Sequence, residues 1–523
     1  MKKNFFLINI NEKILILFLA LFSLLINQYY GNRGIFPVDS FSHFDSGFRI
    51  LLGEYPFKDF WVVSGPLVDY LQAIFFYFFG INWQSYILHA SLFNAILTVA
   101  TFFILRNFNL NLYLSFFYAL LFSILAYPSS GTPFVDHHAA FFSLLGIYSL
   151  ILGIKNEKKL YWILLPVFLI CAFFSKQVPS SYVILSIILI LIYFSLSQKK
   201  FYWIKYFFGS GISLVFILII FGSIQGINLS SFLEQYIFYP QTIKEQRMQN
   251  FDLTFRGLIN HFKFIYIALA PLFYVNLKNI FSNRNYFKNK NFCYFLIILL
   301  FTFSLIFHQT LTKNQTFIFF LIPILIGFSS ISLNKLDLKK FVNIFLILIC
   351  LVATLKYHLR FNEGRKFHEL NYVDFKLSYK GSEIDKKFNG LKWITPKYKN
   401  NVKEEIALVK QAKLHLKDDN RTKMLITNYS FFSALLNEKL FSPSRWHLSD
   451  GTDYPLKGNK YFSSYKNLII NLIKNNNITV IYTIYPIESS VIYTYLDKSC
   501  LSEKKISNTI HSYEIKSCYE ING

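Results

Sequence analysis

Charge is scarce in this chain. Only 16% of its 523 residues are Asp, Glu, Lys or Arg, and the acidic sign is the scarcer, 29 residues against 53 basic ones. A water-soluble protein of this length has more surface than so few charges can cover, so a soluble globular class is excluded at the outset. Several motifs are missing as well. No Walker A loop, Rossmann glycine pattern, HExxH helix or nucleophile elbow occurs where its context would require one, which removes nucleotide-driven pumps and serine or zinc hydrolases. No repeat of 20–50 residues is visible, so a solenoid is excluded. The basic residues form no stripe on a soluble module. They are scattered through short loops, and the net charge of +24 therefore does not point to nucleic acid.

What is present is apolar. Hydrophobic residues make up 54% of the chain, aromatics 20%, and the mean hydropathy is +0.37. Apolar runs of spanning length lie at about 14–29, 85–105, 110–127, 138–154, 160–174, 181–197, 205–222, 264–277, 292–308, 316–333 and 341–357. A backbone in lipid must satisfy its own hydrogen bonds, so these read as about eleven transmembrane helices. The first follows a basic N-terminus but has no small-residue cleavage site after it, and reads as an uncleaved helix. The stretch 66–80 is apolar but short and carries Asp69 and Gln72. It fits a helix lying at the interface.

With 66–80 not spanning, the short basic loops 1–13, 106–109, 155–159, 198–205, 278–290 and 334–340 all fall on one side. The longer loops opposite hold about half as many cations, so the N-terminus is expected inside. The unusual polar residues near span ends then gather outside: Asp39, Asp45, Asp136, His137, His138, Lys176, Gln177, the loop 223–262 and the stretch His308 to Gln315. Elaborate loops on one face imply that the chemistry is on that face.

After about Leu359 the pattern changes. Val402 to Leu416, Ser430 to Asn437 and Tyr465 to Lys474 read as helices, while Lys423 to Thr427 and Thr479 to Ile484 read as strands. The expected organisation is a membrane domain over 1–359, whose first outer loop 30–84 carries the site, and an extracytoplasmic soluble α/β domain over 360–523. Cys171, Cys293 and Cys350 lie in apolar runs as small core residues. Cys500 and Cys518 both lie in the soluble domain, where an oxidising compartment allows them to pair or leaves them as thiols.

The first outer loop is the most informative stretch. It has Asp39 just beyond the first span, a short helix ending at Gly53, the turn Gly53-Glu-Tyr-Pro-Phe-Lys-Asp59, and Gly65-Pro66-Leu67 opening the interfacial helix. A carboxylate held at a wetted membrane surface can accept a proton from an attacking hydroxyl. This loop resembles the first-loop signature of the GT-C membrane glycosyltransferases, in the branch of bacterial protein O-mannosyltransferases and the lipid A aminoarabinose transferase (families 39 and 83). The resemblance implies a polyprenyl-phosphate sugar as donor and Asp39 as catalytic base. The sequence departs from the pattern at Ser40, where Glu is common, which leaves a second carboxylate to Asp45, to Asp136, or to none.

Three further places resemble the family more loosely. Asp136 stands in Pro133-Phe-Val-Asp-His-His138, at the mouth of a span, with His137 beside it. Lys176-Gln177 forms a tight hairpin, where a Lys could meet a donor phosphate as a point charge. His308-Gln-Thr-Leu-Thr-Lys-Asn-Gln315 supplies His308, Lys313 and Gln315 ahead of an apolar helix. Lys58 in the first-loop turn and Arg247 in the longest outer loop complete the substrate-binding candidates. The structural alternatives are ordinary: Asp39 or Asp136 as helix caps, Lys176 and Lys313 as snorkelling lysines, and Arg247 in a solvated loop. No cofactor is expected. No divalent metal is indicated, since the adjacent His137 and His138 point apart on a helix and no third ligand is spaced to join them.

The expected function is transfer of a sugar from polyprenyl phosphate to a hydroxyl of a glycan, lipid or protein acceptor outside the cytoplasm, in a bacterial plasma membrane. The rival is a transporter or flippase. That rival predicts acids near the middle of spans, whereas these acids cluster at span ends.

Overall fold

The computed structural model describes residues 10–243, 254–312, 317–333, 339–485, 487–516 and 518. Among them, nine helices are long and apolar enough to cross a membrane: Ile10–Gly31, Trp83–Asn107, Leu112–Ser129, Val135–Asn156, Gln177–Gln198, Trp203–Ile224, Arg256–Ser282, Lys290–Leu311 and Phe341–His368. The protein is an α-helical polytopic membrane protein with a C-terminal α/β domain.

Two of the eleven expected spans, those over 160–174 and 316–333, form helices shorter than the other nine. Lys159–Ser175 has 17 residues, a rise of about 26 Å, and Leu321–Leu333 has 13, a rise of about 20 Å. Lys159–Ser175 covers its expected run in full, whereas the second helix falls short of its own for a clear reason. The run 316–333 is apolar throughout, but Phe317, Ile318, Phe319 and Phe320 are non-helical and buried in protein. Irregular backbone at membrane depth is tolerated where protein encloses it, and hydropathy cannot distinguish that enclosure from lipid.

The chain packs as two compact units. The first comprises Met1–Gly31, Ile87–Phe216 and Asn250–Phe367. At its centre is Val135–Asn156, 89% of whose apolar window is buried. It forms a tight hairpin with Lys159–Ser175. A Cβ on Gly153 would come within 3.0 Å of the Trp162 ring, and one on Gly146 within 3.1 Å of Leu169, so small residues set the close approach. The turn at 127–131 is wedged equally closely against the first helix. A Cβ on Gly131, itself at φ +76°, would lie 2.6 Å from the Gly31 Cα, and Asn27 donates to the Gly131 carbonyl at 3.2 Å.

The second unit comprises Asn32–Tyr86, Ile217–Gln249 and His368–Gly523. The first-loop residues thus pack with the C-terminal chain. Among the described residues six strands are present: β1 (Tyr379–Lys380), β2 (Lys392–Trp393), β3 (Lys423–Ile426), β4 (Val480–Ile484), β5 (Leu501–Lys505) and β6 (Ile510–Ile515). β1 and β2 pair antiparallel, and the main sheet runs β3-β4-β6-β5 with β3 and β4 parallel. The parallel pair is bridged by a connection that includes the helix Phe462–Asn475, whose buried face is Tyr465, Ile469, Leu472 and Ile473. The strands β3 and β4 and the helices Val402–Asp418 and Phe462–Asn475 match expectation. The segment expected to be helical over 430–437 contracts to Phe432–Leu436, and β5 and β6 pair as an antiparallel hairpin between Cys500 and Cys518.

Pro66–Phe79 is a 14-residue helix, too short to span. It buries Asp69 and Gln72 and exposes Ile74, Tyr77, Phe78 and Phe79. Its polar face is therefore turned into protein, leaving an apolar face as an interfacial helix would.

Cys500 and Cys518 form a disulfide with Cα atoms 5.6 Å apart. It closes a loop of sequence separation 18 around β5 and β6. Chain-entropy arguments assign such a loop about 3 kcal/mol, so Cys518→Ser is expected to lower the unfolding midpoint of the wild type. Adding reductant to the wild type should reproduce that shift and leave the variant unmoved; a variant that melts with the wild type would show the bond to be stabilising nothing.

Candidate active site

In the first unit, three residues singled out separately in the sequence meet. Asp136 is the second residue of Val135–Asn156, a helix whose N-cap, Phe134, offers no side-chain bond. Asp136 is fully buried and does not act as a cap. Its Oδ2 accepts from Lys176 Nζ at 2.6 Å, and its Oδ1 lies 3.2 Å from His308 Nε2. That spacing fits an imidazole protonated at Nε2 and donating.

Each partner is delivered by a local feature. Lys176 is extended (φ −163°, ψ 138°) between the helices Lys159–Ser175 and Gln177–Gln198, Val178 is extended as well (φ −122°, ψ 134°), and this irregular joint turns the lysine side chain inward. At 11% side-chain exposure it is not a snorkelling lysine. His308 lies in the last turn of Lys290–Leu311, fully buried, with its ring near Tyr182. An ammonium without a counter-charge in such surroundings is expensive, and the carboxylate supplies one. The ammonium in turn opposes a metal cation beside Asp136 and His308. Gln177 is half-buried at the start of the next helix.

The two histidines following Asp136 diverge. His137 Nε2 meets Ser129 Oγ at 3.0 Å, among the rings of Tyr127, Phe134, Phe141 and Phe367. His138 bonds Tyr127 Oη and lies 3.0 Å from His89 Nε2. His137 therefore belongs to the packing behind Asp136 and not to the trio.

Sequence reasoning missed His89, Tyr127 and Arg365. Arg365 is fully buried, at φ +45°, and donates to the carbonyls of Pro128 (2.9 Å), Ser129 (3.4 Å) and Ser130 (2.9 Å). These carbonyls end the helix Leu112–Ser129, where a cation complements both the unbonded acceptors and the helix dipole. The same turn carries Tyr127 and Ser129, the partners of His138 and His137. No local pattern marks an arginine that acts from more than 230 residues away.

In the second unit, Asp39 is the third residue of the helix Pro37–Leu51 and is half-buried. The helix starts earlier than the cap reading requires. Its N-cap is Phe36, whose N–H donates to Ser40 Oγ at 3.0 Å. Asp39 is thus a first-turn carboxylate, favoured there by the helix dipole. Asp45 follows six residues later, about 240° round the helix, and so points elsewhere. It is 5% exposed, its Oδ1 has no hydrogen-bond partner, and it lines a small polar cavity with Thr427, Ser430, Ser433, Ser444 and Arg445.

Burial pushes the Asp45 carboxyl up to about 6, against the opposing pull of Arg49. Because the folded-state value lies above the ordinary 3.8, the folded form is favoured while Asp45 is protonated. Stability is lost as pH rises from about 4 through about 6, by roughly 3 kcal/mol in all. Asp45→Asn is therefore expected to melt higher than the wild type at pH 7.5, with the gap closing towards pH 4. Equal melting temperatures at pH 7.5 would refute the assignment.

Lys58 donates to the Gln225 carbonyl at 3.3 Å, just past the end of Trp203–Ile224, a position that the helix dipole favours. Arg247, Lys313 and Gln315 lie outside the described residues.

No protein-family model matches the chain, and no curated protein matches its sequence. Thirteen solved protein chains match its structure. Among them is ArnT from Cupriavidus metallidurans bound to undecaprenyl phosphate, with a TM-score of 0.53 and 8% identity, over 98% of this chain and 99% of that one. The fold is like that of ArnT. At that identity the likeness speaks for the fold, which extends over both compact units.

Proposed function

We propose that this chain is a membrane glycosyltransferase of the GT-C type. It would move a sugar from a polyprenyl-phosphate carrier to a hydroxyl of an acceptor outside the cytoplasm. In this reading Asp39 accepts the hydroxyl proton and the oxygen attacks the anomeric carbon. The bond from that carbon to the phosphate oxygen breaks, with inversion, and polyprenyl phosphate leaves with the electron pair. Lys176 faces the phosphate charge that grows at the leaving group.

The observation that carries the reading is the buried Asp136–Lys176–His308 trio. Asp136 accepts from Lys176 at 2.6 Å and fixes where the ammonium points. An ammonium held in this way inside an apolar bundle suits an anion delivered on a lipid better than a solute in transit. The likeness of fold to ArnT, whose solved form is bound to undecaprenyl phosphate, supports the same class of donor.

Polyprenyl phosphate is expected to bind the purified protein at least ~10-fold more tightly than polyprenol, which lacks the phosphate. Lys176→Gln should erase the difference. Equal binding of phosphate and alcohol by the wild type would overturn the donor assignment.

A further inference from the structure

The second unit contains a set of buried charges that the transfer chemistry does not use. Arg445 Nη1 lies 3.3 Å from Asp69 Oδ2, and its Nη2 donates to the Ser64 carbonyl at 2.5 Å. His43 Nδ1 meets the other oxygen of Asp69 at 2.6 Å. Arg49 Nε donates to Glu54 Oε2 at 3.1 Å and Nη2 to the Ser442 carbonyl at 2.9 Å, while its guanidinium rests 4.1 Å over the Phe60 ring. Both arginines, with Asp69 and Glu54, are almost fully buried.

These bonds run in opposite directions along the chain. Arg49 and His43 belong to the helix Pro37–Leu51, which also carries Asp39. Arg49 reaches out from that helix to the segment at 442. Arg445 reaches back from the same segment to Ser64 and to Asp69, and Asp69 holds His43. Between them the Trp61 N–H donates to the Pro443 carbonyl at 2.8 Å. Eleven of the 15 residues of Pro37–Leu51 are buried, and Phe41 packs on Phe388, Trp393 and Phe431 of the C-terminal chain. The guanidinium fork suits this task, because each arginine must satisfy two acceptors at fixed angles.

We infer that Arg49 and Arg445 are positioning residues for Asp39: through them the C-terminal chain holds the helix Pro37–Leu51 and so sets where the proposed base stands. The inference rests on the transferase reading for its effect on rate, and on geometry alone for its effect on the helix. The C-terminal domain is then part of the reacting apparatus, though none of its residues need touch substrate.

The test is a double-mutant cycle. Arg445→Met is expected to lower kcat by ~10- to 10²-fold, with the KM for the lipid-linked donor changed less than ~3-fold. In the Asp39→Asn background, where no base remains to misplace, the same substitution should cost less than ~3-fold. Arg445→Lys, which keeps the charge but loses the fork, should fall between. Multiplying effects in the two backgrounds, or a change confined to KM, would overturn the inference. An arm independent of activity follows Asp39→Cys with a water-soluble maleimide, and should show the labelling rate shift at least ~5-fold when Arg445 becomes Lys or Met. An unchanged rate would overturn the positioning role even if the wild type proves to transfer no sugar.

Discussion

Asp136→Asn is expected to cost both stability and activity. The substitution keeps the shape of the side chain and removes its charge, leaving the Lys176 ammonium at 11% exposure with a neutral amide where a carboxylate stood at 2.6 Å. Breaking a buried ion pair from one side costs about 3–5 kcal/mol, mostly because the remaining charge is uncompensated. A large fall in melting temperature should follow, and transfer should drop at least ~10²-fold because Lys176 loses the group that aims it. A second variant separates the two effects. Pairing Asp136→Asn with Lys176→Met removes the orphaned charge, so stability should largely return while transfer stays lost. If activity returned with stability, the trio would be a structural pair and the donor phosphate would need another ligand.

Asp39→Asn is expected to be the opposite kind of lesion, lowering transfer by at least ~10²-fold with little effect on the fold. Asp39 is half-buried in the first turn of Pro37–Leu51, where a carboxylate contributes only about 0.3–1 kcal/mol through the helix dipole. The variant should melt within a few degrees of the wild type. Equal rates for the two proteins would remove Asp39 as the base. Asp45 would be a poor replacement, since it points about 240° away and is enclosed, and Asp136 would become the candidate.

The pieces of the site were legible in the sequence, and their assembly was not. Asp136, Lys176 and His308 stood out because each is a polar residue at the end of an apolar run, where lipid makes it costly. Their meeting depends on three helix ends arriving at one place, which no periodicity encodes. The spans were legible because spanning helices are apolar along their whole length. The run 316–333 was over-read because residues 317–320 are apolar for another reason, burial without helix. Asp69 marked its stretch as non-spanning, but its destination was hidden: the group it pairs with, Arg445, lies 376 residues away. Arg365 and Arg445 look in sequence like any cation near a membrane. Only the fold shows that one ends a helix beside the Asp136 cluster and the other reaches the loop that carries Asp39.

The most direct test of the account is whether the purified wild-type protein moves sugar at all. It should be incubated with a panel of polyprenyl-phosphate sugars and membrane extract, following both the labelled sugar and the released polyprenyl phosphate. The account predicts that at least one donor is consumed, with sugar and free carrier phosphate appearing in equal amounts. A folded protein that binds polyprenyl phosphate yet consumes no donor, or moves it intact across a vesicle membrane, would contradict the account and bring the flippase reading forward.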